Sequence, residues 1–422
     1  MIPLIFCLFI FFFNIKIKGF PITSNMLLGG LGILLLLSKL FFCRHFKLEK
    51  NFLFLLFSYV LLLSALVVAF VVHGTFDLSL IKIFIVNFPI VFLGAFFISH
   101  IISKNNLKLE DVFKAITICF FIQCLITLIF FINRNLMYNV LEICDMDDRI
   151  KDIVSSNQKR AFGFFFGFDY GTAELTCSCL CGTYLVLTEK KQYNLWLFIV
   201  IVSSLIGLLV ARTMFVGILL VLFFFFVFPC EYKFRKKKIF FSFLYCSFII
   251  LFILILCVDL SKYQKTFLWM TDFVTQINNG GLKRGSLYEI IYNMVWFPEY
   301  KTFFFGDGWF KLDGRQYMDT DVGYMRLILY FGLFGTFLVI LFIVNLGKAF
   351  WHGIKNKQLN KLSFLFVLVQ LIFMYKIMYL IMGFFTLFIL LKPSINSNHN
   401  KYSNFQNYFK PNYSFQIRSF FL

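Results

Sequence analysis

The chain has 422 residues, of which 60% are hydrophobic, 21% aromatic and only 14% charged, and its mean hydropathy is +0.83. A soluble domain carries about 25% charged and about 45 to 50% apolar residues, so this balance excludes a single soluble core, a disordered chain, a disulfide scaffold, a coiled coil and a basic nucleic-acid binder. What remains is an all-α polytopic integral membrane protein, in which the formal charge of +19 matters through its placement.

Membrane-crossing apolar runs need about 20 residues each, with some tolerance. They fall near 2 to 14, 23 to 43, 52 to 72, 80 to 102, 112 to 133, 171 to 188, 195 to 211, 213 to 229, 239 to 257 and 322 to 346. The first lacks a basic flank and a small-residue cleavage site, so it reads as a retained helix rather than a signal peptide. A last apolar stretch, 362 to 391, is long for one crossing and short for two at about 1.5 Å per residue, and reads as a tight or re-entrant hairpin. The expectation is 12 transmembrane helices, or 11, in one membrane domain covering 1–422 with no internal repeat.

Charge orients this map. Segments 44–50, 103–111, 189–194, 231–238, 347–361 and 392–422 hold 20 basic and 5 acidic residues, including the run Lys233, Arg235, Lys236, Lys237 and Lys238. Cytoplasmic segments are enriched in Lys and Arg, so these segments, the basic tail 392–422 and both termini are expected in the cytoplasm, where the basic run also suits anionic membrane lipid. The two long loops, 134–169 and 258–321, hold 12 basic and 14 acidic residues, and the alternation of spans turns them outward. Of the 11 cysteines, only Cys144 lies in an outer loop. Cys177, Cys179 and Cys181 alternate, so on a helix successive members point about 200° apart and do not converge on one metal. Neither a metal nor a cofactor is expected.

An ionisable side chain near the bilayer centre costs at least about 2.5 to 3.5 kcal/mol, so each one sits at an edge or marks a site. Lys39 and Lys114 are near cytoplasmic ends; Lys82, Glu174, Arg212, Arg326 and Lys376 are near outward ends. The outer loops add Arg160, in Lys159-Arg160-Ala161-Phe162-Gly163, and Arg284, in Lys283-Arg284-Gly285-Ser286-Leu287-Tyr288. Arg offers bidentate donors to phosphate, aromatic faces stack on sugar rings, and Gly permits close approach. Such an outward basic funnel suits an amphiphile with a phosphorylated sugar head. Past the second loop, Met318-Asp319-Thr320-Asp321-Val322-Gly323-Tyr324-Met325-Arg326 enters a helix that continues through Gly332-Leu333-Phe334-Gly335. Asp321 is placed to cap that helix, and the two glycines suit close helix packing.

Taken in order, these parts resemble the O-antigen polymerase (Wzy) family, which shares an architecture with the O-antigen ligases. Arg160 is followed by ten residues and Gly171. Ala211-Arg212-Thr213 joins two closely spaced helices like the family's Ser-Arg-Thr-type junction. Asp319-Thr320-Asp321-Val322-Gly323-Tyr324 with Gly332-Leu333-Phe334-Gly335 is similar to the polymerases' Asp-any-Gly-Tyr and Gly-Leu-any-Gly pattern. Arg284 plus ten lands on Val295, so a second Arg-to-Gly spacing is absent. The only histidine near an outer loop is His73, whereas the ligases use a His in their long loop, which favours polymerase over ligase.

The resemblance implies a glycosyltransferase at the outer face of a bacterial cytoplasmic membrane. It would move a growing glycan from undecaprenyl pyrophosphate onto a newly flipped lipid-linked repeat unit, for O-antigen, capsule or exopolysaccharide. Arg160, Arg212 and Arg326 become candidates to stabilise the leaving pyrophosphate, with Lys376, Arg284, Glu174 and Gly171 binding substrate. Asp321 or Asp319 would serve as general base, with Tyr324 orienting. A chain-length regulator and a flippase are the implied partners. The alternatives are a ligase-like glycan transferase and a lipid-linked oligosaccharide flippase.

Overall fold

The computed structural model describes residues 1–42, 50–75, 77–144, 163–164, 168–189, 192–227, 293–312, 315–351, 357–376 and 381–397. The apolar run at 239–257, the basic segment 231–238, most of both long loops with Arg160 and Arg284, and the tail beyond 397 lie outside the described residues.

In chain order the helices are α1 (Ile2–Phe13), α2 (Ser24–Phe42), α3 (Lys50–His73), α4 (Ser79–Lys104), α5 (Leu109–Ile132), α6 (Arg134–Ile143), α7 (Phe168–Thr188), α8 (Tyr193–Val210), α9 (Met214–Val227), α10 (Tyr300–Phe305), α11 (Gly323–Trp351), α12 (Lys357–Phe373) and α13 (Met382–Ser397). Helix α4 is widened by a π turn over Lys82–Asn87. Strands β1 (Lys311–Leu312) and β2 (Arg315–Gln316) form a small antiparallel hairpin. Among the described residues, α2, α3, α4, α5, α8 and α11 contain six stretches long and apolar enough to cross a bilayer; α1, α9, α12 and α13 are apolar but shorter. The chain is thus an all-α, multi-pass membrane protein, as its composition predicts.

Helix α7 explains why one expected span is less apolar than the others. Every residue from 171 to 187 is buried, and α5, α8, α9 and α12 surround it. A helix that meets protein on all sides needs close packing more than lipid solubility. Its Thr, Ser, Cys and Gly residues supply that: Thr176 hydroxyl bonds the Thr172 carbonyl at 2.7 Å, and Cys179 Sγ meets Ser204 Oγ at 3.7 Å. At Gly182 an added Cβ would come within 2.6 Å of Val200. Large aromatic side chains fill the adjoining core, where Phe120, Phe384 and Phe12 pack together.

Hydrogen bonds fix which helix ends share a level. At one end Lys114 of α5 pairs with Glu189 just past α7, and the indole N–H of Trp196 in α8 donates to the same carboxylate at 2.6 Å. At the opposite end Thr172 near the start of α7 bonds Thr213 before α9 at 3.0 Å. There too Tyr324 at the start of α11 donates to the Leu371 carbonyl near the end of α12 at 2.6 Å. The stretch read as a hairpin is two helices. Gln370 of α12 accepts the Ile381 amide at 2.6 Å, and Phe366 packs on Phe384 and Phe388, so α12 and α13 run antiparallel where they meet.

Helix α11 departs from the sequence expectation of one continuous run. At Gly332 the backbone takes φ 71° and ψ −171°, which divides the helix into 323–331 and 333–351. Gly332 was expected to serve packing; its role is to break the helix, in a conformation essentially reserved for glycine. The break frees the carbonyls of Leu329 and Tyr330 from their usual partners four residues on. The amide of Asp307 takes the first at 2.6 Å and that of Gly308 the second at 3.2 Å.

Candidate functional site

The segment that repairs the break is a strap, residues 305–311, and the α3 end grips it from the other side. His73 Nε2 donates to the Phe305 carbonyl at 3.1 Å, and the Thr75 hydroxyl donates to the Gly308 carbonyl at 2.7 Å. Asp77 Oδ2 then accepts the amides of Phe310 at 2.7 Å and Lys311 at 2.6 Å. The other Asp77 oxygen accepts the Ser79 amide at 2.9 Å, and the Tyr330 hydroxyl donates to the Asp77 carbonyl at 3.2 Å. Glycine is required in the strap. Gly306 and Gly308 have φ of 76° and 73°, and a Cβ on Gly306 would stand 2.4 Å from the Tyr330 carbonyl oxygen.

The strap carries Phe310 to Arg326. The guanidinium lies over the Phe310 ring, 3.6 Å from its centroid, and Arg326 is only 4% exposed. Such a stack is worth about 2 kcal/mol or more when desolvated. Arg326, a candidate to stabilise the leaving pyrophosphate, is thus a buried cation held against a ring. Asp307 closes the strap on itself, accepting from Thr302 Oγ1 at 2.8 Å and Tyr317 Oη at 3.3 Å. Burial, followed by the Asp307 charge and hydrogen bond, pushes the Tyr317 phenol up from its ordinary value.

From Tyr317 the chain turns through two left-handed residues, Met318 at φ 55° and Asp319 at φ 50°, before entering α11. Asp321 was expected to cap this helix and makes no capping bond among the described residues. Thr320 serves the turn instead, because its hydroxyl both donates to the Met294 carbonyl at 2.9 Å and accepts the Val322 amide at 3.3 Å. The Arg326 amide bonds the Val322 carbonyl at 3.0 Å, so the helix begins one residue later than the expected cap allows. Asp319 is exposed and Asp321 half-buried.

The remaining sequence candidates among the described residues share this end of the bundle. Gly171 and Glu174 lie on the first turns of α7, and Glu174 is buried at 7% exposure. Arg212 is half-buried in the α8–α9 junction, beside the Thr172–Thr213 bond that ties the junction to α7. Lys376 follows α12, five residues past the Leu371 carbonyl that holds Tyr324. Lys82 is exposed on the π turn of α4. Arg160 and Arg284 lie outside the described residues; nearby Gly163 approaches α5 so closely that a Cβ would stand 2.3 Å from Gln123 Nε2 and Thr127 Oγ1.

Asp77, His73 and Phe310 were not read from the sequence as one assembly, and no local signal joins them. Their partners are over 230 residues away in the chain. Chemically, this end offers cations for an anionic group (Arg212, Lys376), carboxylates as proton acceptors (Asp319, Asp321) and aromatic faces. Among the described residues, no three His, Cys, Asp or Glu side chains gather to hold a metal ion. No family model matches the chain, and neither a curated protein nor a solved structure does.

Proposed function

We propose that the chain is a polysaccharide repeat-unit polymerase of a bacterial cytoplasmic membrane, acting at the outer face on undecaprenyl-pyrophosphate-linked oligosaccharides. The observation that carries the reading is the gathering of Gly171, Glu174, Arg212, Tyr324, Arg326 and Lys376 at one end of an apolar helix bundle. The order of motifs that resembles the polymerases supports it.

In this reading the acceptor hydroxyl of the new lipid-linked unit attacks C1 of the reducing-end sugar of the growing chain. The C1–oxygen bond to pyrophosphate breaks, and its electron pair leaves with undecaprenyl pyrophosphate. The hydroxyl proton passes to a carboxylate at the mouth, Asp321 or Asp319. Negative charge grows on the leaving oxygen, and fixed cations in a low-dielectric site stabilise that charge more in the transition state than in the ground state. Arg212 and Lys376 are the more accessible cations, with Arg160 and Arg284 contributed by the long loops. Arg326, stacked on Phe310, supplies fixed positive potential from within. Twelve crossings, with the long loops outward and both termini cytoplasmic, complete the proposal.

The test is a gel of surface polysaccharide from cells lacking the gene, complemented with wild type or with Arg212→Ala. Single-repeat product without the gene, a ladder with wild type and a loss of about 100-fold in polymer with the variant at equal protein level are expected for a removed charge-stabilising donor. A normal ladder from the variant overturns the role of Arg212.

One observation favours a second reading, a flippase for the same lipid-linked glycan. Discontinuous helices such as α11 line substrate sites in transporters. In the same gel, loss of even the first repeat unit selects that reading.

A further inference from the structure

We infer that Asp77 is a positioning residue: by binding the backbone of the strap it sets Phe310 and, through Phe310, the guanidinium of Arg326. Its activity consequence rests on the polymerase reading; its structural consequence does not.

The argument starts from what a carboxylate can do that its neighbours cannot. Asp77 is 8% exposed, and a carboxylate so far from water needs compensation by hydrogen bonds or charge. Three backbone amides supply it, from Ser79, Phe310 and Lys311. Both terminal atoms of the side chain accept, Oδ1 from Ser79 and Oδ2 from Phe310 and Lys311, which an amide side chain cannot reproduce because one of its terminal atoms is a donor only. The Ser79 bond anchors the carboxylate to the start of α4, so the amides of Phe310 and Lys311 are referred to a membrane helix rather than to a loop. Phe310 is itself 4% exposed and meets the Tyr330 ring at a centroid distance of 6.4 Å. The ring that carries Arg326 therefore has its backbone fixed by Asp77 and its face fixed by Tyr330, whose hydroxyl returns to the Asp77 carbonyl. Asp77 acts on Arg326 through the strap.

The full-length protein in proteoliposomes is treated with phenylglyoxal, which modifies arginine, and the Arg326 peptide is followed by mass. In wild type Arg326 reacts slowly while the exposed Arg315 reacts fast. In Asp77→Asn, Arg326 is expected to react at least about tenfold faster as the strap opens locally, with Arg315 unchanged and faster hydrogen exchange at the amides of 307–311. Phe310→Leu uncovers Arg326 while leaving the amide bonds to Asp77, so it should raise Arg326 reactivity without raising exchange at Lys311. This second variant keeps the inference testable if Asp77→Asn fails to fold. Unchanged Arg326 reactivity in a folded Asp77→Asn protein, or in Phe310→Leu, overturns the inference.

Transfer assays then read the consequence. Asp77→Asn should lower kcat by about tenfold with KM nearly unchanged. Combined with Arg326→Lys it should be no worse than Arg326→Lys alone, because residues acting through one contact are not additive; combined with Arg212→Ala the losses should multiply. Multiplying losses of Asp77→Asn and Arg326→Lys overturn the coupling. Wild-type protein without transfer activity overturns the polymerase reading instead, and the modification experiment still decides the role of Asp77.

Discussion

The two ends of the helix bundle display two devices for holding charge. At one end Lys114 meets Glu189, and Trp196 donates to the same carboxylate, so charge is matched by side chains and three regular helices are clasped together. At the other end Asp77 is matched by backbone amides and Arg326 by the Phe310 ring, while the backbone itself is irregular at Gly306, Gly308 and Gly332. A side-chain clasp can join helices without disturbing their hydrogen bonds. Irregular backbone at membrane depth persists only where protein or enclosed water satisfies its polar groups, so the strap end needs His73, Thr75 and Asp77 to bind the strap and the strap amides to bind α11. The first arrangement makes a joint; the second holds a shaped mouth.

The comparison breaks most severely at Gly332. An alanine there must adopt φ 71° and ψ −171°, and its Cβ would stand 2.1 Å from the Phe304 carbonyl oxygen. We expect Gly332→Ala to cost about 3 kcal/mol or more, combining strain of about 1 to 3 kcal/mol with the displacement of the strap. The measurement is the apparent Tm of detergent-solubilised protein. Gly30→Ala is the control, since nothing lies within 4 Å of its added Cβ; it should be neutral or slightly stabilising by helix propensity. Equal losses in both would mean that the helix break is not what Gly332 provides.

Next in size is the clasp. Glu189→Ala removes the partner of Lys114 and the acceptor of Trp196, whose side chains are largely shielded: Lys114 is 23% and Glu189 15% exposed. The expected loss is about 2 kcal/mol, because a shielded charge is left without its partner. Glu189→Gln keeps an acceptor for the indole and should lose less. Hydrogen exchange at 307–311 should be unaffected by either variant, whereas Asp77→Asn raises it. Altered exchange in the strap after Glu189→Ala would show that the two ends are one cooperative unit rather than separate devices.

This separation also explains what was legible in the sequence. Helix positions follow from apolar runs, a local property: the runs at 23 to 43 and 195 to 211 correspond to Ser24–Phe42 and Tyr193–Val210. The reading that Arg212, Tyr324 and Lys376 share one end rests on an alternation of helices that includes the run 239–257, which lies outside the described residues. The strap was not legible. Asp77 is a lone acid in a turn, and nothing near it in sequence announces partners at Phe310 and Lys311. Gly332-Leu333-Phe334-Gly335 fits close packing as well as a break, and only the strap, brought back against α11 in three dimensions, decides between them. Thr320 replaces Asp321 for the same kind of reason, since its hydroxyl is fixed by the Met294 carbonyl rather than by spacing along the helix.

The smallest effect concerns how Asp307 closes the strap on Tyr317. Burial and the nearby Asp307 carboxylate raise the Tyr317 phenol above its ordinary value of 10.0. The neutral phenol is therefore favoured in the folded state, so its contribution is fully present below the unfolded value and is lost as pH rises through the higher folded one. Above about pH 10 the unfolded chain releases this proton first, and stability falls with pH. Tyr317→Phe has no such proton. It should cost less than about 1 kcal/mol at pH 7, the scale of one hydrogen bond, and its apparent Tm should decline less steeply than that of wild type above pH 10. Parallel slopes would mean that Asp307 does not hold Tyr317, leaving the strap secured by α3 and α11 alone.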